Sequence, residues 1–241
     1  MPYRKEKFAN EEIYHVVVRS IDDNLLFKDV DDHYRGIFSI YEFNTVKPVV
    51  IRERRQARLR IKELLKQAPE KGISANDSRN KLVEILAFCF MPNHIHLLLK
   101  QTKDNGTTRF MNKLGAGYGG YFNRKYSRKG HVFQNRFNAV RIKTDSQLEA
   151  VFAYIHTNPI SLIEPGWKNG KIKNLKRAIE FLKTYKWSSY RDYIDEKNFP
   201  SVTERKFLSE TMGDADKCRN IVIDWIKHKR KIKGFSNLTI E

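Results

Sequence analysis

Residues 13–20, IYHVVVRS, alternate: Tyr14, Val16 and Val18 fall on one side, His15, Val17 and Arg19 on the other. A two-residue period is that of a β-strand. Residues 82–90, LVEILAFCF, form a second β-rich run. After Met91-Pro92-Asn93 the chain returns as a third strand over 94–100, HIHLLLK. In that strand His94, His96 and Leu98 share one face, and Ile95, Leu97 and Leu99 share the other, which can bury against helices. A fourth strand is expected from Phe137. Helical spacing fills the intervals. It appears as Tyr34, Ile37, Phe38 and Tyr41 over 33–43, opened by Asp31 and Asp32, and as Met111, Leu114, Tyr118 and Phe122 over 110–126. It recurs as Leu148, Val151, Phe152 and Ile155 in a helix begun at Asp145 and capped by that residue or Thr144. Pro159 disfavours helical geometry at Asn158, so this helix should end there, with the Asn158 side chain freer than one in mid-helix. Further helical patterns cover 175–185, 204–210 and 218–229, with a turn at 187–190.

One helix carries a local penalty. Gly115, Gly117, Gly119 and Gly120 each weaken the 110–126 segment by about 1 kcal/mol relative to Ala. Either the helix is simply kinked, or another backbone or a nucleic acid approaches it closely.

Charge changes the picture. The 241 residues are 40% hydrophobic, enough for a sizeable core, yet carry a formal net charge of +18. Such an excess favours a polyanionic partner, nucleic acid first, with an anionic membrane surface as the competing reading. No apolar run approaches the length of a spanning helix, and the first residues lack the apolar core of a secretion signal. Two cysteines, Cys89 and Cys218, are too few for a disulfide scaffold and fit a reduced, intracellular protein. The positive charge is concentrated in places. Residues 51–66 hold seven Arg or Lys against two Glu around a narrow stripe of Ala57, Ile61, Leu64 and Leu65. This reads as a basic amphipathic helix, either solvated or in contact with phosphates. Residues 127–142 interleave basic and aromatic side chains, and 227–233, KHKRKIK, form a basic tail.

The histidines His94 and His96 are either a pair with structural hydrogen bonds or two imidazoles able to bind one metal ion. Two imidazoles fill part of a coordination shell. An oxygen from Asn158 would complete a site suited to Mg²⁺ or Mn²⁺ with room for a phosphate oxygen. Tyr154 stands one helical turn before Asn158, on the same side. A tyrosine with a pKa near 10 is a poor nucleophile. It can attack a phosphodiester when it is aligned in line and the developing charge is stabilised. The product would be a phosphotyrosine.

These stretches resemble a known family. MPNHIHLLL resembles the His-hydrophobic-His motif of the single-tyrosine transposases of insertion sequences, and YIHTNP resembles their catalytic helix. GHVFQNRF, WSSY and YHVVVRS are similar to the REP-associated tyrosine transposases, the likeness running from about residue 14 to 190. The resemblance implies an α+β fold, a ferredoxin-like antiparallel sheet with helices on one face. To this are added a basic helical insertion at about 47–80 and a helical, basic C-terminal extension over 166–241, after a 1–165 core. It implies that His94, His96 and Asn158 hold Mg²⁺ or Mn²⁺. Tyr154 would be the nucleophile that forms a 5′-phosphotyrosine on single-stranded hairpin DNA and frees a 3′-hydroxyl. DNA contacts are expected from His15, Arg19, Arg54, Arg55, Arg58, Arg124, Lys125, Arg128, Lys129, His131, Gln134, Arg136 and Arg141. His156, two positions from Tyr154, should point away and be structural. The expected setting is cytoplasmic and nucleoid-associated, without membrane contact, as a monomer or homodimer. The chain departs from the resemblance in two places: the long 47–80 segment, and ISLIEP after Asn158-Pro159. The alternative is a non-catalytic nucleic-acid-binding regulator on the same fold.

Overall fold

The computed structural model describes residues 7–67, 77, 79–134, 136–167 and 172–228, without the side chains at 58, 61, 62, 64, 65 and 67. Four strands form one antiparallel sheet: β1 (Ile13–Arg19), β2 (Val83–Met91), β3 (His94–Gln101) and β4 (Asn138–Ile142). Their order across the sheet is β2-β3-β1-β4. Helix α1 (Val30–Glu42) connects β1 to β2, together with the basic helix α2 (Ile51–Gln67), and α3 (Gly106–Lys125) connects β3 to β4. This is the interleaved βαββαβ order of a ferredoxin-like α+β fold.

The registers decide which residues share a face. His15 lies opposite Leu98, Val17 opposite His96 and Arg19 opposite His94. Across β2, Cys89 lies opposite His96 and Met91 opposite His94. The other face carries Tyr14, Val16, Val18, Phe88, Phe90, Ile95, Leu97 and Leu99, buried against Ile37 and Ile40 of α1 and Phe110, Leu114 and Tyr118 of α3. Close packing here explains two glycines. A Cβ at Gly36 would strike the Phe90 ring, and one at Gly117 would overlap the ring of Phe43.

The histidine-bearing face is covered by α4 (Asp145–Thr157), whose residues 151–157 are all buried. A helix apolar on every side needs cover on every side. The chain after residue 166 supplies it through α5 (Leu175–Thr184), α6 (Tyr190–Tyr193), α7 (Arg205–Met212) and α8 (Ala215–His228). Val222, Trp225 and Ile226 of α8 share one hydrophobic cluster with Val151, Phe152 and Ile155. Helices therefore lie on both sides of the sheet: α1 and α3 on one face, α4 and the C-terminal segment on the other. Residues 187–189 also pair with the outer edge of β2, through Phe90 N–H to Trp187 O and Ser189 N–H to Phe88 O. A bare strand edge, open to unwanted pairing, is thereby closed.

Helix boundaries follow local chemistry. Asp29, not Asp31, caps α1: its side chain accepts from the Asp32 N–H, and Asp32 returns a bond to the Asp29 backbone. Thr144 caps α4 by accepting from the Gln147 N–H. At the far end of α4 the structure corrects one expectation. Asn158 keeps helical geometry (φ −50°, ψ −40°), and Pro159 enters a 3₁₀ turn over Asn158–Leu162. Asn158 is consequently 1% exposed rather than a loose helix end. Among the described residues, no helix is long and apolar enough to cross a membrane. Of the basic tail, 229–233 lies outside the described residues.

Candidate functional site

Three elements meet at the candidate site. β3 supplies His94 and His96, β1 supplies His15 beside them, and α4 lays Tyr154 across them. The ring centroids of His94 and His96 are 4.8 Å apart. The Tyr154 ring stands edge-on to His96 at 5.6 Å and to His15 at 5.7 Å. Tyr154 and Asn158 are one turn apart, and both are buried.

Each imidazole of the pair is held from its Nδ1 side. His94 Nδ1 lies 2.6 Å from the Asn93 side-chain oxygen. That acceptor makes Nδ1 the protonated nitrogen of a neutral ring and Nε2 the lone-pair nitrogen. His96 Nδ1 lies 3.1 Å from His15 Nε2, with the two rings stacked. When His96 donates in that bond, its Nε2 also becomes the lone-pair nitrogen. Support of this kind, behind the coordinating atom, is how metal-binding histidines are oriented. The Asn158 carboxamide is buried, and its oxygen makes no hydrogen bond among the described residues. Two oriented imidazoles and an amide oxygen therefore fit a divalent cation. Among the described residues, no three His, Cys, Asp or Glu side chains converge as metal ligands.

Burial pushes the Tyr154 hydroxyl well above the ordinary tyrosine range; the charge of Arg19 and the Asn158 amide pull it part of the way back. His156 points away from the site. It is fully buried, bonds Ser189 Oγ at 2.8 Å, and is lowered by that burial to a pKa of about 3. Its neutral ring ties α4 to the segment along β2.

The residues expected to contact DNA are scattered, and several are engaged with other parts of the protein. His15 has no exposed surface on which a nucleotide could rest; it supports His96 instead. The Lys125 ammonium is captured by Asp29 at 2.7 Å and Asp32 at 2.8 Å. Arg141 is paired with Glu12, and Arg54 with Glu42 at 3.4 Å. Arg128 is half-buried, its guanidinium 5.7 Å from the Phe122 ring centroid. The Arg58 side chain lies outside the described residues. Arg55, Arg124, Lys129, His131, Gln134 and Arg136 are exposed. Besides His15, Arg19 lies beside the site, opposite His94 and 3.7 Å from Asp23, and residues 131–134 are fastened to its backbone by a bond from Gln134 N–H to Arg19 O. Asn93, which orients His94, escaped the sequence reading; its place directly before the motif was the available signal. Cys89, which entered the sequence reading in the cysteine count, shares the histidine face, opposite His96. Seeing that required the register between β2 and β3.

Comparison with known families comes to the same residues. Positions 44–158 match the family described as Transposase IS200 like. Over this stretch the chain is similar to the IS200-like transposases. The matched part contains His94, His96, Tyr154 and Asn158 and leaves out β1 with His15 and the C-terminal helices. Among solved structures, the chain is similar to a REP-associated tyrosine transposase bound to a REP hairpin. Identity is 14% and the TM-score 0.46, over 83% of this chain and 90% of that one. No curated protein matches the chain.

Proposed function

We propose that the protein nicks and rejoins single-stranded DNA flanking a hairpin, with Tyr154 as nucleophile. The observation that carries this reading is the convergence of Tyr154 with His96 and His15 at ring distances of 5.6 and 5.7 Å, with Asn158 one turn away. Tyr154 Oη would attack the phosphorus of a phosphodiester. The new bond is Oη–P; the bond broken is P–O3′. The tyrosine proton is lost, and the departing oxygen takes up a proton to become a 3′-hydroxyl. The 5′ side stays attached as a phosphotyrosine, and the reverse reaction with another 3′-hydroxyl rejoins the strand. His94, His96 and Asn158 would hold Mg²⁺ or Mn²⁺, which supplies charge stabilisation at the phosphate. Two imidazoles suit manganese better than magnesium, which prefers oxygen ligands throughout. Arg19, paired with Asp23 at 3.7 Å, adds positive charge to the field at the tyrosine.

A second reading has its own observation. Tyr154 is 2% exposed, so DNA reaches it only after the ring gives up its contacts with the histidines. A protein that never makes that movement would be a DNA-binding regulator. The experiment that separates the two mixes the protein with labelled hairpin single strands from the flanks of its own gene, with Mg²⁺ or Mn²⁺, on a denaturing gel. A metal-dependent protein–DNA band that is absent in Tyr154→Phe is the expected result. Binding without any adduct, for either metal, would overturn the nuclease reading in favour of the regulator.

A further inference from the structure

On the outer side of the α1–α3 layer, across the sheet from Tyr154, lies a cavity of about 970 Å³ walled by α1, α2, α3 and residues 198–202. That volume is at the upper end of the roughly 300–1,000 Å³ typical of ligand sites. Rings and guanidiniums dominate its lining. Tyr34, Phe38, Tyr121 and Phe199 supply the rings, and Arg35 and Arg55 supply the charge. The lining also contains acids, but two are already neutralised: Glu42 pairs with Arg54 and Asp77 with Arg79. Asp31 remains in the wall.

Arg35 is the distinctive group. Its guanidinium carbon lies 5.1 Å from the ring centroids of both Phe38 and Tyr121. Nη2 donates to Gly117 O at 3.3 Å, while Nε is buried and has no hydrogen-bond partner among the described residues. Among those residues no carboxylate is paired with Arg35, Arg55 or Arg124. Burial lowers the Arg35 pKa, and the charges of Arg55 and Arg124 lower it further. Arg35 and Arg55 line the same cavity, and an anion between them would relieve the repulsion that Arg35 feels. Arginines combined with open aromatic faces are how proteins hold unpaired nucleotides, by phosphate contact and base stacking. Tyr34 is 43% exposed, with the Lys186 ammonium 4.7 Å from its ring centroid, so a partly exposed ring and a further cation stand together there.

We propose that this cavity is a second nucleic-acid site, which takes an unpaired nucleotide of a single strand, its base against Tyr34 and its phosphates on Arg35 and Arg55. The assignment of a DNA ligand rests on the nuclease reading proposed above, but the site does not involve the nucleophile. A strand held here lies on the opposite face of the sheet from Tyr154, so it adds affinity without choosing the bond that is cut.

The test is fluorescence anisotropy of the full chain with a short labelled oligothymidylate, which has no hairpin. Tyr34→Ala and Arg55→Glu change exposed side chains and leave the core intact. Each should weaken binding by about fivefold to tenfold, the effect of losing one stacked base or one phosphate contact. Lys206→Glu on α7, a side chain 89% exposed, is the control for net charge and should shift affinity by less than about twofold. A strand carrying 5-iodouracil should crosslink to the peptides containing Tyr34 or Phe199. Losses in both cavity variants no larger than in Lys206→Glu, or crosslinks confined to 128–136, would overturn the proposal. Hairpin cleavage assayed on the same proteins keeps the two readings apart. Cleavage with unchanged oligothymidylate affinity removes the cavity and leaves the nuclease. Weakened affinity in the variants of a protein that never cleaves retains the cavity and removes the nuclease.

Discussion

Two helices of this protein contrast in how they are held. Helix α4 is buried along its whole second half and is composed mainly of Val, Phe, Ala, Tyr, Ile and His. Helix α2 exposes nearly every described side chain, Leu59 at 61% among them, and is built from Arg, Glu, Gln, Ala, Leu and Lys. The residues of α2 are strong helix formers, so local propensity sustains it. α4 contains several β-branched and aromatic residues and is sustained by burial between sheet and α8. Chemistry placed on α4 therefore has fixed geometry, and each change there touches the core. Charge placed on α2 can vary without unfolding anything. Fixed geometry belongs to α4, and adjustable charge to α2.

The largest break in this comparison is Tyr154→Phe. It removes one oxygen from α4 and leaves the ring packing in place. Adduct formation should fall by roughly a thousandfold or more, as expected for loss of a nucleophile, while hairpin affinity stays within about twofold. Adduct that persists would place the nucleophile elsewhere. Next comes His15, a positioning residue for His96. His15→Gln should weaken Mn²⁺ binding, followed by calorimetry without DNA, by roughly 10- to 100-fold, the usual effect of losing the group behind a metal-binding histidine. Unchanged Mn²⁺ affinity in a folded variant would mean that the contact between His15 and His96 is structural.

His156 gives α4 a pH dependence. Its folded pKa is about 3, against 6.5 for the exposed ring. Above pH 6.5 both states are neutral and the group contributes no slope. Between 6.5 and about 3 the unfolded chain binds the proton and the folded one does not, so stability falls as pH falls, by up to about 1.4 kcal/mol per unit. His156→Phe should flatten that part of a urea-denaturation series against pH. An unaltered slope would assign the acid sensitivity to other groups. No comparable effect is expected from any basic residue of α2.

The sequence exposed the strands, the principal helices and the buried pairing of His94 with His96, because each rests on a short-range period or on adjacent residues. It also exposed Tyr154 and Asn158 as one side of one helix. What it concealed depends on distant partners. The inward position of His15 follows from the register that sets Val17 opposite His96. The capture of Lys125 by Asp29 and Asp32 joins the end of α3 to the cap of α1. The packing of α8 on α4 and of residues 187–189 along β2 turns what read as an extension into the cover of the histidine face. The four glycines of α3 read as one feature and proved to be several. Gly117 is required by Phe43, whereas a Cβ at Gly120 would meet nothing within 4 Å.

The smallest expected effect sharpens the contrast from the α2 side. Arg52, Arg55 and Arg60 are exposed, and replacing all three with Gln keeps the helix-forming character of the segment. Stability should change by no more than about 0.5 kcal/mol, the usual range for exposed positions. If α2 lies along a single strand, each lost phosphate contact lowers the slope of log affinity against log salt by about 0.7, so the triple variant should lose roughly two units of slope. Cleavage of DNA that is already bound should proceed at the wild-type rate, because none of these side chains approaches Tyr154. A slope that does not move would show that α2 is a solvated face, and would transfer the electrostatic contribution to the exposed residues at 124 and 128–136. A reduced cleavage rate at saturating DNA would show instead that α2 helps to place the strand, and that geometry is not confined to α4.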